Sequence, residues 1–200
     1  EPKEKNVVRV PAVVNVNKSQ FSLRIPVPLL ISDKLDWFHP DLIHSHHPYI
    51  LGDSALRESR RLGAPLLFTH HTLYEMYTHY TPFDTDGVKS FLIHLSTEYA
   101  NLCDRVIAPS KSLEDTIAKR GVKTPITEIP TGVEIEFFGQ GEGGRYKKKC
   151  GIETGARVIG HLGRLAPEKN LEFLARAVAR SLRNYPDTVF LVVGAGPSKK

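Results

Sequence analysis

The sequence predicts an α/β fold in which βα units build parallel sheets covered on both faces by helices. Three observations carry this expectation. Short apolar runs alternate with amphipathic stretches, capping residues mark helix ends, and 40% hydrophobic with 24% charged residues is the balance of a globular chain of 200 residues. Residues 41–45 read as a short buried strand after Pro40, 51–62 as a helix and 65–69 as the next strand. A polar, tyrosine-rich loop at 70–86 interrupts the rhythm. It resumes with a helix at 88–102, a strand at 105–108, a helix capped by Ser110 and ending at Gly121, and a strand at 125–129.

Between Thr131 and Gly155 the chain becomes glycine-rich and charged, with Gly139, Gly141, Gly143 and Gly144 followed by Lys147, Lys148 and Lys149. A boundary is expected there. Residues 1–138 form a first domain, 139–155 a linker, and 156–200 the beginning of a second α/β domain. That second unit starts with a strand at Val158 and Ile159. Its helix sets Leu171, Leu174, Ala175, Val178 and Leu182 on one face, and a strand at 188–193 leads into the turn Gly194-Ala195-Gly196-Pro197. So small a piece of parallel sheet buries too little apolar surface to be comfortably stable alone. Its open edge at 189–193 is expected to lean on a neighbour or pair with a second copy.

A net charge of +5 from 27 basic and 22 acidic residues, spread along the chain, argues against a dedicated nucleic-acid binder. Acidic small molecules and an anionic membrane surface are the expected partners. Cys103 and Cys150 match no metal or redox spacing and read as thiols of a reducing compartment. No apolar run reaches the ~18 to 20 residues of a membrane-spanning helix, and nothing resembles a signal peptide. A cytoplasmic location is expected. The single methionine is Met76 and the chain opens on the charged stretch 1–5, so it reads as an internal piece of a longer polypeptide.

The most informative segment is His161-Leu162-Gly163-Arg164-Leu165-Ala166-Pro167-Glu168-Lys169-Asn170, which joins the strand at 158 to the helix at 171. Gly163 allows close approach of backbone to a ligand, Arg164 and Lys169 supply positive charge, and the helix N-terminus points the same way. A nucleoside diphosphate suits such a turn. The alternative is an ordinary strand-to-helix turn with two solvated cations. His44, His46, His47, His70 and His71 raise a metal site. Their spacing argues against it, because His44 and His46 share one strand face, His47 follows in a turn, and no cysteine or carboxylate completes a set.

Several segments together resemble the nucleotide-sugar-dependent glycosyltransferases of family 4. These are Pro40-Asp41-Leu42-Ile43-His44-Ser45-His46, Phe68-Thr69-His70-His71-Thr72, and the run from Cys103 to Ser110. Ile129-Pro130-Thr131-Gly132-Val133-Glu134, Gly163-Arg164-Leu165 with Glu168-Lys169-Asn170, and Val193-Gly194-Ala195-Gly196-Pro197 complete the set. The resemblance covers most of the chain and implies a GT-B fold of Rossmann-like parallel sheets. It also implies retaining transfer of a hexose from a nucleoside-diphosphate sugar. The segment from His71 to Tyr80 resembles more narrowly the branch that glucosylates diacylglycerol, although Tyr74, Tyr77 and Tyr80 could equally pack a loop.

The resemblance assigns expected roles. His71, Arg164 and Lys169 are the catalytic candidates, with His71 against the donor sugar. Gly163, Arg164, Lys169, Gly194 and Gly196 bind the donor, with the Gly163 N–H as a backbone donor. His46, Tyr74, Glu75 and His79 are candidate sugar or acceptor contacts. No metal or cofactor is expected beside a co-substrate of UDP-glucose type. The acceptor is a lipid such as diacylglycerol or a glycan, reached from the inner face of the membrane. Thr131 and Glu134 stand where the family usually has Asn and Asp, and the family's glutamate pair is expected beyond Lys200. The chain alone is therefore expected to be inactive. Other readings keep the fold but make the protein an epimerase of nucleotide sugars or a non-catalytic nucleotide-sugar binder. A metal-dependent hydrolase built on the histidines stands last.

Overall fold

The computed structural model describes residues 7–9, 12–15, 22–24, 28–80 and 84–199. It divides into two compact units, Glu1–Thr131 and Gly132–Lys200. The division falls ahead of the stretch expected as a linker, which itself carries helical structure.

In the first unit, β1 (Ala12–Asn15) and β2 (Ser22–Arg24) form an antiparallel pair, and α1 (Pro28–Phe38) follows. A four-stranded parallel sheet then runs in the order β3 (Ile43–Ser45), β4 (Leu66–Thr69), β5 (Arg105–Ala108), β6 (Ile126–Glu128). The crossovers are α2 (Leu51–Leu62), α3 (Asp86–Asn101) and α4 (Lys111–Lys119). Strand order equals chain order, as expected when each helix returns the chain to the neighbouring sheet position. The core gathers Leu66 and Phe68 of β4, Tyr99 and Ala100 of α3, Val106 and Ala108 of β5, and Ile117 of α4. Cys103 joins them, and burial pushes its thiol up to about 12. Cys103 and Cys150 are both free.

Local chemistry fixes the element ends. Ser110 accepts from the Leu113 N–H and Thr85 from the Val88 N–H, each with extended backbone, so α4 and α3 start where a hydroxyl meets an otherwise unpaired amide. Gly63 closes α2 in the left-handed conformation. Gly52 lies so close to the His47 carbonyl that a Cβ would come within 2.0 Å of its oxygen, and its own carbonyl accepts from the Tyr99 hydroxyl at 3.0 Å. That contact seats the start of α2 against α3.

The stretch expected as a loop at 70–86 carries a 3₁₀ helix at Tyr74–Tyr80. Its turns are fixed by side chains rather than by apolar periodicity: the Thr78 hydroxyl bonds the Glu75 carbonyl at 3.1 Å and Asp84 at 2.7 Å.

In the second unit, α5 (Ile135–Gly139) ends where the expected linker begins and α6 (Gly143–Lys149) lies within it. Lys147 is drawn back over the chain by bonds to the Thr154 and Ala156 carbonyls. β7 (Arg157–Leu162) and β8 (Thr188–Val193) pair in parallel across α7 (Leu171–Asn184), and Val178 of α7 is buried. Among the described residues no helix is long and apolar enough to cross a membrane.

Candidate functional site

In the first unit the candidate residues collect at the C-terminal ends of β3 and β4, where open α/β sheets place their ligands. Side chains alternate along a strand, so Phe68 and His70 share one face, with rings 5.5 Å apart, while Thr69 and His71 share the other. Two lateral contacts join that second face to β3 and the residue beyond it. His44 Nε2 lies 2.7 Å from the Thr69 hydroxyl and His46 Nδ1 lies 2.8 Å from His71 Nε2, each pair 25 residues apart in sequence. The His44 and His46 rings sit 4.1 Å apart, and those of His46 and His71 stack at 5.1 Å with 20° between planes.

Burial separates the histidines: His70 is buried, whereas His44, His46 and His71 are exposed. His70 is only 3% exposed, and its pKa is lowered to about 4 by burial first, then by the Arg120 charge, with Glu75 opposing. His44 is lowered by burial and by the charges of His46 and His71, and His71 by burial and His46. All three are held toward neutral imidazole. Behind them Tyr74 packs edge-on against His47 and Tyr49 and lies near His70. Tyr74 thus has the packing role that its sequence left open, and burial raises its phenol above the ordinary range.

Glu75, expected as an acceptor contact, points instead to Arg120 at 2.6 Å, and the pair is largely buried. A carboxylate so engaged is neutralised by its partner and keeps the 3₁₀ helix against the end of α4. Arg120 carries no local sequence signal, since it meets Glu75 from 45 residues away. Thr69 stands in one of the segments that resemble the family, but its contact with His44 has no local signal either, since the two lie 25 residues apart. The side chain of His79 lies outside the described residues.

In the second unit the turn after β7 and the turn after β8 run side by side. The Gly163 N–H donates to the Val193 carbonyl at 3.0 Å, the Leu165 N–H to the Ala195 carbonyl at 3.0 Å, and the Ser198 N–H returns to Leu165 O at 3.0 Å. A Cβ on Gly194 would stand 1.8 Å from Gly163 O, and one on Gly196 2.1 Å from Leu165 O. Gly194 and Gly196 are therefore required by backbone packing between the two turns. The Gly163 N–H, expected to face a ligand, is already spent in this clasp.

Arg164 Nη1 lies 3.9 Å from Glu168, whose side chain is 9% exposed, while Lys169 is exposed. Asn170 takes the left-handed conformation at φ 47° and opens α7, a conformation asparagine tolerates better than most residues. Among the described residues no group of three His, Cys, Asp or Glu is arranged to hold a metal ion.

The family model described as Glycosyltransferase Family 4 matches residues 1–137. The chain belongs to glycosyltransferase family 4. Among the curated family relatives, an alpha-monoglucosyldiacylglycerol synthase of Acholeplasma laidlawii is 27% identical over 97% of this chain and 52% of its own length. The protein of the same name from Streptococcus pneumoniae is 30% identical over 78% of this chain and 37% of its own length. A GDP-mannose-dependent alpha-mannosyltransferase of Corynebacterium glutamicum is 30% identical over 97% of this chain and 45% of its own. The chain thus spans about half the length, or less, of these curated relatives. Among solved structures, Anabaena HepE in complex with UDP and glucose matches with a TM-score of 0.63 and 20% identity, over 84% of this chain and 43% of its own. The fold of this family 4 chain is the GT-B type.

Proposed function

We propose that the protein to which this chain belongs is a retaining hexosyltransferase. It moves a sugar from a nucleoside diphosphate to a membrane lipid such as diacylglycerol, working peripherally at the inner face of the membrane. The observation that carries this reading is the clasped pair of turns after β7 and β8, which fixes Arg164, Glu168 and Lys169 on one rigid support. Relatives named for diacylglycerol glucosylation and for GDP-mannose support the reaction class, and the UDP and glucose of the HepE complex support the type of donor. A largely apolar groove of about 310 Å³, lined by Leu35, Phe38, Leu42, Ile43 and Leu51 together with His44 and Glu58, is in keeping with a lipid acceptor.

In this mechanism the acceptor hydroxyl attacks the anomeric carbon on the face from which the diphosphate departs. The bond from carbon to the phosphate oxygen breaks, the glycosidic bond forms, and the acceptor proton passes to the departing diphosphate. Arg164 and Lys169 offset the charge that develops on that diphosphate. His71 donates to or accepts from a sugar hydroxyl and holds the ring as it becomes oxocarbenium-like.

Calorimetric titration of the full-length gene product with UDP, GDP and the parent nucleosides tests the diphosphate assignment. A diphosphate is expected to bind at least tenfold tighter than its nucleoside, and Arg164→Ala and Lys169→Ala are each expected to remove most of that difference. Equal affinities for nucleotide and nucleoside contradict it.

A further inference from the structure

His71 cannot be treated as an isolated imidazole, because its Nε2 is already engaged by His46 Nδ1 at 2.8 Å. An N···N contact at that distance holds one hydrogen between two nitrogens. We propose that His46 is the positioning residue of His71: the two rings form a dyad with one shared hydrogen, which leaves Nδ1 of His71 for substrate and lets His46 decide whether that nitrogen donates or accepts. This rests on the reading of His71 as the histidine that meets the sugar.

The bookkeeping of hydrogens makes the proposal specific. In the neutral dyad there are two hydrogens on four nitrogens. One lies between the rings and the other sits on an outer nitrogen, either His71 Nδ1 or His46 Nε2. Adding one proton fills both outer nitrogens, so His71 Nδ1 becomes a donor whichever ring holds the formal charge. A second proton would set N–H against N–H and break the contact.

The surroundings support the same arrangement. His44, tied to Thr69 at 2.7 Å, lies 4.1 Å from the His46 ring and limits how it can turn. Among the described residues, the titratable or charged groups near the dyad include His47 in the turn after β3 and His70 after β4, the phenols of Tyr49 and Tyr74 packed against them, and the Glu75–Arg120 pair beyond His70. His70 is buried and held toward the neutral form, whereas the contact between His46 and His71 is exposed, so the pair stands apart from the buried imidazole beside it. The equal 25-residue spacing of the two lateral contacts shows that strand register builds both of them.

Long-range ¹⁵N–¹H spectra of histidine-labelled protein, recorded from pH 8.5 down to 4.5, read tautomer and charge for each ring without any enzyme assay. In the wild type the dyad is expected to titrate in two steps separated by at least about one pH unit, with the second step accompanied by loss of the shared-hydrogen signal. His46→Phe keeps a ring beside His44 but has no nitrogen. His71 is then expected to titrate in one step with a mixture of tautomers. His46→Asn retains a polar group near the position of Nδ1 and is expected to restore a single His71 tautomer. Independent one-step titration of His46 and His71 in the wild type overturns the dyad, and this reading does not depend on either variant folding. Addition of UDP-glucose separates the two proposals. A shift of His71 supports its sugar contact, whereas a coupled dyad that ignores UDP-glucose upholds the pairing and counts against the sugar contact.

Discussion

His70 shows how much a single buried side chain can govern. It is neutral in the fold, with its pKa lowered from 6.5 to about 4, and its Nδ1 is buried without a hydrogen-bond partner. The unfolded chain takes up a proton near pH 6.5 and the folded chain only near 4. Stability supplied by neutral His70 is therefore complete above pH 6.5 and falls as the pH drops through that window. The loss is roughly 3 kcal/mol, at ~1.4 kcal/mol for each pH unit of difference. Urea midpoints at pH 7.5 and 4.5 are expected to differ accordingly, and His70→Phe, which has nothing to titrate there, is expected to narrow the gap. An equal pH dependence in the two proteins contradicts this role. At this scale the sequence showed that His44 and His46 share a face, because strand alternation is local. It did not show that they meet Thr69 and His71, because register between strands is set by the whole sheet. The ion pair of Glu75 was hidden for the same reason, its partner Arg120 being supplied by a distant helix end.

At the scale of elements, the clasp between the turns after β7 and β8 makes a sharp comparison. Gly194→Ala must push a methyl group into the Gly163 carbonyl, where an ideal Cβ would lie at 1.8 Å. The turns must separate, at a cost of about 2 kcal/mol or more in stability. Gly160→Ala sits in β7 with nothing within 4 Å of the new Cβ, and is expected to be neutral or slightly stabilising through the unfolded chain. Thermal melts of the two variants beside the wild type check this, and equal shifts contradict the packing role. Helices and strands from 41 to 129 were readable because apolar periodicity and caps such as Ser110 act within a few residues. The 3₁₀ helix at Tyr74–Tyr80 was not, since it is held by Thr78 and Asp84 rather than by an apolar face. Helix α6 was hidden by the glycines and lysines that suggested a linker, and α5, at five residues, is too short to show an apolar periodicity.

At the scale of the molecule, family 4 membership rests on the match over residues 1–137, with the histidine-tipped strands, and the likeness in fold extends over 84% of the chain. Each segment alone is a common turn or strand end. Their order along the chain made the family legible in the sequence, whereas the sugar, the base and the acceptor have no such ordered signature. The proposed glycosyl transfer supported by Arg164 and Lys169 is tested by incubating the full-length gene product with radiolabelled UDP-glucose and diacylglycerol vesicles, with GDP-mannose in parallel, and determining the amount and anomeric configuration of the labelled glycolipid. An α-linked product is expected, with formation reduced about 100-fold or more by Arg164→Ala or Lys169→Ala. A folded wild-type protein that transfers sugar from neither donor, or one whose transfer is unchanged by both substitutions, would contradict it.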